Sequence, residues 1–358
     1  MGLPFEIPIE FKRTGSKAKI WSKELIPSID TLLWRYRLWS QFGLTRRDPE
    51  AMRSLRLLFG SYGSGADWLL RALSHFDHSM PCFYAPSERI DPLLISEGHR
   101  WVLPLDYRKE LDGTHPLEHL LQHLAVPKGK LLQRSLHKQV DQEQIDFNRI
   151  MVYEPNAMLM TEALVRTYHI PMILMATDPV YCVDRYMATE VDERAGYLQD
   201  EFEAVKDTAF LLRFFKKDTA KIRKAHKMIR SMGDEHDRRL FSMVLTLGVM
   251  HRMFRHLSVK YHLIHCVSLS DFLHDTGLLR KLVKIYCNEP DKKLLAGMSN
   301  HDYEFSSDVL MPDLNRRPRI LDRSDVKQAY RYLSLAGLSE PNKLLATGGS
   351  RHLRNKAA

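Results

Sequence analysis

The chain has 358 residues, 44% of them hydrophobic and 27% charged, enough to bury a sizeable core in one large domain with additions or in two. It holds no apolar run of about 18 residues, so no membrane-spanning helix is expected. Its formal net charge of +9 favours an anionic partner, but no nucleic-acid-binding motif is present, so nucleic acid is not the expected partner. The start, Met1-Gly2-Leu3-Pro4-Phe5-Glu6, lacks the apolar stretch of a secretory leader and the hydroxyl residue of a myristoylation signal. Cys82, Cys182, Cys266 and Cys287 follow no metal or redox spacing. They read as reduced thiols of a cytoplasmic protein.

Residues 1–52 read as an N-terminal extension. Ile29, Leu32, Leu33, Tyr36 and Trp39 recur at helical spacing, which predicts a Trp-rich amphipathic helix over 29–39. It would pack on the main domain or on a second subunit as a dimerisation element. Trp34, Trp39, Arg35 and Arg37 would also suit peripheral contact with a membrane surface.

The run Leu55-Arg56-Leu57-Leu58-Phe59-Gly60-Ser61 then predicts a buried strand. Tyr62-Gly63-Ser64-Gly65 predicts a small-residue turn, and Ala66-Asp67-Trp68-Leu69-Leu70-Arg71-Ala72-Leu73 an amphipathic helix. Strand, glycine turn and helix in this order have the shape of a phosphate cradle. Glycines let the backbone approach an anion, and the free N–H groups at the helix start point at it. A Walker loop would end Gly-Lys-Ser/Thr, whereas this one ends Gly65-Ala66-Asp67. It is either a variant anion cradle or a tight βα turn whose Asp67 suits the positive end of the helix dipole.

Further along, His115, His119 and His123 share one face of a predicted helix with Pro116 in its first turn. No further ligand accompanies them, so a solvated face is expected and no metal site. Three more buried parallel strands are expected over Ile150–Tyr153, Met172–Ala176 and His262–Val267. Each ends in turn chemistry: Glu154-Pro155-Asn156, Thr177-Asp178-Pro179 and Ser268-Leu269-Ser270. Strands alternating with helices predict an α/β fold, a mostly parallel sheet with helices on both faces. All the strand-end turns would converge on one crevice outside the carboxyl ends. Residues 191–257 read as mainly helical with a break near Ser231-Met232-Gly233-Asp234. Basic groups gather at Lys216–Arg230, at Arg316, Arg317 and Arg319, and in the tail 341–358, which reads as flexible.

The order of these strand ends resembles the sulfotransferase family. These enzymes transfer a sulfuryl group from 3′-phosphoadenosine 5′-phosphosulfate (PAPS) to a hydroxyl or amine. Tyr62-Gly63-Ser64-Gly65-Ala66-Asp67-Trp68-Leu69 stands where the family has a Pro-Lys/Arg-Ser-Gly-Thr-Thr loop. Tyr153-Glu154-Pro155 stands for Lys-Asp-Pro, and Thr177-Asp178-Pro179 for Arg-Asp-Pro. Arg185 takes the place of a serine further on, and Tyr261–Leu273 with Leu278–Cys287 is similar to the last strand and helix. The likeness covers about 55–300 and implies a P-loop-like α/β domain over 53–340. Gly63 stands in place of the cradle cation, Ala66 and Asp67 in place of the threonines, and Thr177 in place of the arginine on the 3′-phosphate.

The resemblance implies a donor site formed by Tyr62, Gly63, Ser64, Gly65, Ala66, Asp67, Trp68, Thr177 and Arg185. PAPS would be the co-substrate and a carbohydrate or other hydroxyl-bearing molecule the acceptor. Glu88, in the segment Ser79–Arg89, would be the general base, with His78 and His75 as the other candidates. Two other readings stay open: a catalytically silent member that binds a partner through its basic surfaces, and a transferase using a different nucleotide.

Overall fold

The structure is a computed structural model that describes residues 49–86, 116–125, 148–187, 208–288, 290–297 and 321–338. The chain divides into two compact units, 1–44 and 45–358, and the described residues belong to the second. The helix expected over 29–39, the arginines at 316, 317 and 319, and the tail after 341 lie outside the described residues.

Five strands form one sheet: β1 (Leu55–Phe59), β2 (Cys82–Tyr84), β3 (Ile150–Tyr153), β4 (Met172–Met175) and β5 (Ile264–Val267). All neighbours run parallel, in the order β2-β3-β1-β4-β5. The helices are α1 (Pro49–Met52), α2 (Ala66–Phe76), α3 (Pro116–Ala125), α4 (Thr161–Tyr168), α5 (Pro179–Met187) and α6 (Thr208–Phe215). They continue with α7 (Thr219–Arg230), α8 (Glu235–Lys260), α9 (Leu269–His274), α10 (Thr276–Tyr286), α11 (Lys292–Gly297) and α12 (Arg323–Leu335). The fold is α/β, as the strand–helix alternation predicts.

Four strands coincide with the apolar runs. Every residue of β3 and β4 is buried, as a parallel strand covered on both faces requires. The addition is β2. It has only three residues and comes directly after Pro81, too short a run to show a period, and it pairs Phe83 with Val152. Part of the segment Ser79–Arg89 is therefore an edge strand. The expected turn at Glu154-Pro155-Asn156 leads into a 3₁₀ segment, Pro155–Met160. The break between α7 and α8 falls where expected, and Asp234 caps α8 by accepting from the Asp237 N–H at 2.9 Å.

Alternation along the strands divides the core. Leu58, Tyr153, Ile173, Met175 and Val267 share a cluster with Trp68, Leu69, Leu73 and Phe76 of α2 and with Leu282 and Tyr286 of α10. Leu57, Phe59, Met172 and Leu174 alternate with these and are fully buried on the other face. The 26-residue α8, whose middle is buried, packs against β5 and α5.

The strand order fixes where a ligand can sit. From β1 the chain moves to the β2 edge, and from β4 it moves to the β5 edge. Right-handed crossovers send these two connections over opposite faces. Between β1 and β4 the direction reverses, which opens a crevice at their carboxyl ends.

Two buried carboxylates hold the layers together away from that crevice. Asp77, just past α2, accepts from the Ser79 N–H (3.1 Å) and hydroxyl (2.6 Å) and from the Asn288 N–H (2.5 Å). This ties the end of α2 to the end of α10. Glu162 in α4 accepts from Arg213 (2.7 Å), Lys260 (2.8 Å) and Tyr261 (2.9 Å), joining α4, α6 and the end of α8. Burial alone would raise the Glu162 pKa. Hydrogen bonds from Lys260 and Tyr261 and the charge of Arg213 outweigh it and hold the carboxyl below its ordinary 4.5.

Both cations are partly exposed, so the network is worth less than a fully buried one. Glu162→Gln is expected to lower stability by about 2 kcal/mol in urea denaturation at neutral pH. A depressed pKa stabilises the fold fully above the unfolded value, and that stabilisation fades as pH falls from about 4.5 through the lower folded value. The gap between the wild type and Glu162→Gln should therefore close across that acid window.

Candidate functional site

The glycine turn leaves the carboxyl end of β1, the central strand, and opens α2. The Ser64 N–H closes it on the Ser61 carbonyl at 3.0 Å. Gly63 (φ 80°) and Gly65 (φ 89°) are left-handed, which costs any side-chain-bearing residue about 1–2 kcal/mol. Close packing adds a second requirement. A Cβ on Gly63 would lie 2.7 Å from the Cys182 carbonyl oxygen, and one on Gly65 would lie 2.4 Å from the Leu269 side chain. The turn is thus gripped by α5 on one side and by the start of α9 on the other.

The buried Thr177, just past β4, completes the grip. Its hydroxyl donates to the Ser64 carbonyl at 2.6 Å and accepts from the Leu269 N–H at 3.1 Å. One side chain therefore ties together the segments at the carboxyl ends of β1, β4 and β5. The next residue, Asp178, caps α5 by accepting from the Val180 (2.9 Å) and Tyr181 (3.1 Å) N–H groups, and its other oxygen accepts from Tyr330 at 3.0 Å.

The structure brings most of the expected donor-site residues together. Gly63, Ser64, Gly65 and Ala66 form the turn and the helix start, with Thr177 behind them. Among the described residues no acceptor engages the N–H groups of Gly63, Gly65, Ala66 or Asp67. The Ser64 hydroxyl is buried and without a hydrogen-bond partner. Arg185 of α5 lies against the turn, its Cβ 3.0 Å from where a Gly63 Cβ would sit. Its guanidinium donates to the Tyr181 hydroxyl at 2.8 Å and stacks on that ring. Tyr62 meets Tyr186 of α5 at 6.5 Å between rings. Asp67 points to Arg71 one turn on, at 3.5 Å, with both side chains about half exposed. Trp68 is a core residue, edge-on to Phe272 at 5.3 Å and buried.

The expected bases are not all at this edge. His75 is in the last turn of α2 and His78 just beyond it, with rings 5.9 Å apart. Eleven helical residues carry the chain about 16 Å back toward the edge from which β2 starts. The two histidines therefore lie at the amino edge of the sheet, opposite the glycine turn, and His78 is not grouped with the donor site. Glu88 lies outside the described residues. The chain reaches the carboxyl edge at Ala85-Pro86, two residues before it.

A cavity of about 200 Å³ opens beside the crevice, between α8, α12 and the carboxyl ends of β4 and β5. Its wall includes Asp178, His251, Arg252, Arg255 and Ser268. The sequence pattern assigns this part of α8 to the core, because Met250, Met253 and Phe254 dominate it. The signal present is a histidine and two arginines inside an otherwise apolar run. The sequence also gives no hint of Leu269 as the residue over Gly65, since no local pattern shows which side chain crosses a turn. Among the described residues no cluster of three metal-ligating side chains occurs. Of the histidine row, His123 is half-buried in α3, while His115 and the side chain of His119 lie outside the described residues.

No protein-family model, no curated protein and no solved structure matches this chain.

Thr177→Val keeps the shape but leaves the Leu269 N–H unpaired and removes the donor to Ser64. It is expected to cost about 2 kcal/mol in urea denaturation. Thr177→Ser, which keeps the hydroxyl, should lose less than half of that.

Proposed function

We propose that this protein binds PAPS across the carboxyl edge of its sheet and transfers the sulfuryl group to a hydroxyl-bearing acceptor such as a carbohydrate. The observation that carries this reading is the position of the glycine turn. It opens an eleven-residue helix at the carboxyl end of the central strand, beside the point where the strand order reverses. The strand order is compatible with the P-loop-like arrangement that the resemblance implies.

In this reading the N–H groups of Gly63, Gly65, Ala66 and Asp67 hold the 5′-phosphosulfate. Arg185, beside the turn, supplies charge toward the 3′-phosphate. The acceptor oxygen attacks sulfur, and the bond from sulfur to the 5′-phosphate oxygen breaks. Adenosine 3′,5′-bisphosphate (PAP) leaves with that electron pair, and the acceptor proton passes to Glu88. Positioning and charge stabilisation supply most of the rate, as in phosphoryl transfer.

A specific observation favours the silent-member reading as the second. The turn has no lysine or arginine between Gly60 and Asp67, and Cys182 and Leu269 already account for its glycines. In that reading the working surface is the exposed basic face of α7, where Lys221, Lys224, Lys227 and Arg230 flank a buried stripe of Ile222, Ala225 and Ile229.

Calorimetric titration with PAP and with ATP, beside a sulfate-transfer assay from PAPS to a glycan panel, separates the readings. PAP binding with transfer supports the first. PAP binding without transfer keeps the donor site and overturns the transfer. ATP binding alone indicates another nucleotide, and a folded protein that binds neither and transfers no sulfate favours the silent member.

Two variants refine the test. Asp67→Thr removes a carboxylate from the helix start and is expected to tighten PAP binding about threefold. Glu88→Gln is expected to slow transfer by about 100- to 10,000-fold with PAP affinity unchanged, and full activity would rule Glu88 out as the base.

A further inference from the structure

We propose that the cavity between α8 and the carboxyl ends of β4 and β5 is a binding site for a tetrahedral oxyanion, a phosphate or sulfate group, held by His251, Arg252 and Arg255. The cavity is distinct from the glycine turn, since no residue of Gly60–Asp67 lines it. At about 200 Å³ it takes a phosphate or sulfate group with a few waters, but it is smaller than the pockets that enclose whole drug-sized ligands.

The donors fit that class. Arg252 and Arg255 are three apart on α8, so their side chains leave the same face. A guanidinium offers paired N–H donors in a plane, which match the oxygens of a tetrahedral anion. Arg252 forms no ion pair among the described residues, and its side chain is exposed enough to swing to a ligand. Ser268 and Ser270 add hydroxyls 2.6 Å apart at the start of α9.

His251 supplies the independent observation. It is only 4% exposed, it lines the cavity, and neither ring nitrogen has a hydrogen-bond partner. A buried polar group left without a partner is costly, and a turn of the ring would bring its N–H to an oxyanion in the cavity. Burial, with the neighbouring Arg255 charge, pushes its pKa down to about 3. The ring is therefore neutral and contributes one donor rather than a third charge.

Asp178 and Asp271 also stand in the wall, and both are committed elsewhere. Asp178 caps α5 and accepts from Tyr330, while Asp271 accepts from the Ser268 N–H at 2.7 Å.

The anion has two possible sources: free phosphate or sulfate, or one phosphate of a nucleotide lying across the edge. Calorimetry on the full chain with inorganic phosphate and with sulfate, using chloride as the control, tests the site without relying on the nucleotide reading. Each of Arg252→Ala and Arg255→Ala is expected to weaken phosphate binding about tenfold. His251→Asn, which keeps a donor, should weaken it less than His251→Phe. Circular dichroism and urea denaturation establish that each variant is folded.

Titrating PAP and adenosine 5′-phosphate into the double arginine variant identifies the source. A loss for PAP alone assigns the cavity to the 3′-phosphate, and a loss for both to the 5′-phosphate. A loss for inorganic phosphate alone assigns it to a separate small anion. The proposal is overturned if the folded wild type binds neither phosphate nor sulfate, or if the double arginine variant binds them as the wild type does.

Discussion

The carboxyl edge of this sheet depends on one hydroxyl. Thr177 sits just past β4. It reaches the turn after β1 through the Ser64 carbonyl and the start of α9, after β5, through the Leu269 N–H. Both bonds are buried, so breaking either leaves a polar group without water. With the three strand ends held together, the glycine turn cannot drift from α5 and Leu269 cannot leave Gly65. Where the resemblance leads one to expect a cation for a phosphate, the chain uses the position to hold the turn.

That exchange shapes the chemistry around it. The turn offers an anion neutral backbone donors and no positively charged side chain. The positive charge at this edge stands further out, with Arg185 stacked on Tyr181 of α5 and with Arg252 and Arg255 on α8. Acidic groups at the edge are occupied as helix caps: Asp178 on α5 and Asp271 at the start of α9. Burial raises the Tyr330 pKa, and Asp178 beside it raises it further, so its hydroxyl stays protonated as the donor to that carboxylate. The result is an edge of fixed donors over a layer of buried hydrogen bonds, which is what binding a negatively charged group requires.

The central strands are legible in the sequence because burial on both faces makes them continuous apolar runs. Leu57-Leu58-Phe59 and Met172–Met175 could hardly be anything else between turn residues. The glycine turn is legible because only glycine tolerates the left-handed backbone at positions 63 and 65. The features that stay hidden have one cause: contacts between segments distant in sequence leave no local period. Strand β2 is three residues long and draws its stability from pairing with β3. Leu269 reads as part of an ordinary turn until the fold carries it onto Gly65, more than two hundred residues earlier in the chain. His75 and His78 look close to the cradle because they come soon after it in sequence. The helix between carries them to the opposite edge.

The central claim is that the backbone at the carboxyl end of β1 receives the anion of a nucleotide. Hydrogen–deuterium exchange of the full chain with and without PAP tests it most directly, because bound phosphate oxygens would accept from the N–H groups of Gly63 to Asp67. The account expects slower exchange in peptides covering 60–69 and no change in those covering Asp77–Pro81 at the opposite edge. PAP binding that protects other segments while 60–69 exchanges as before would contradict it.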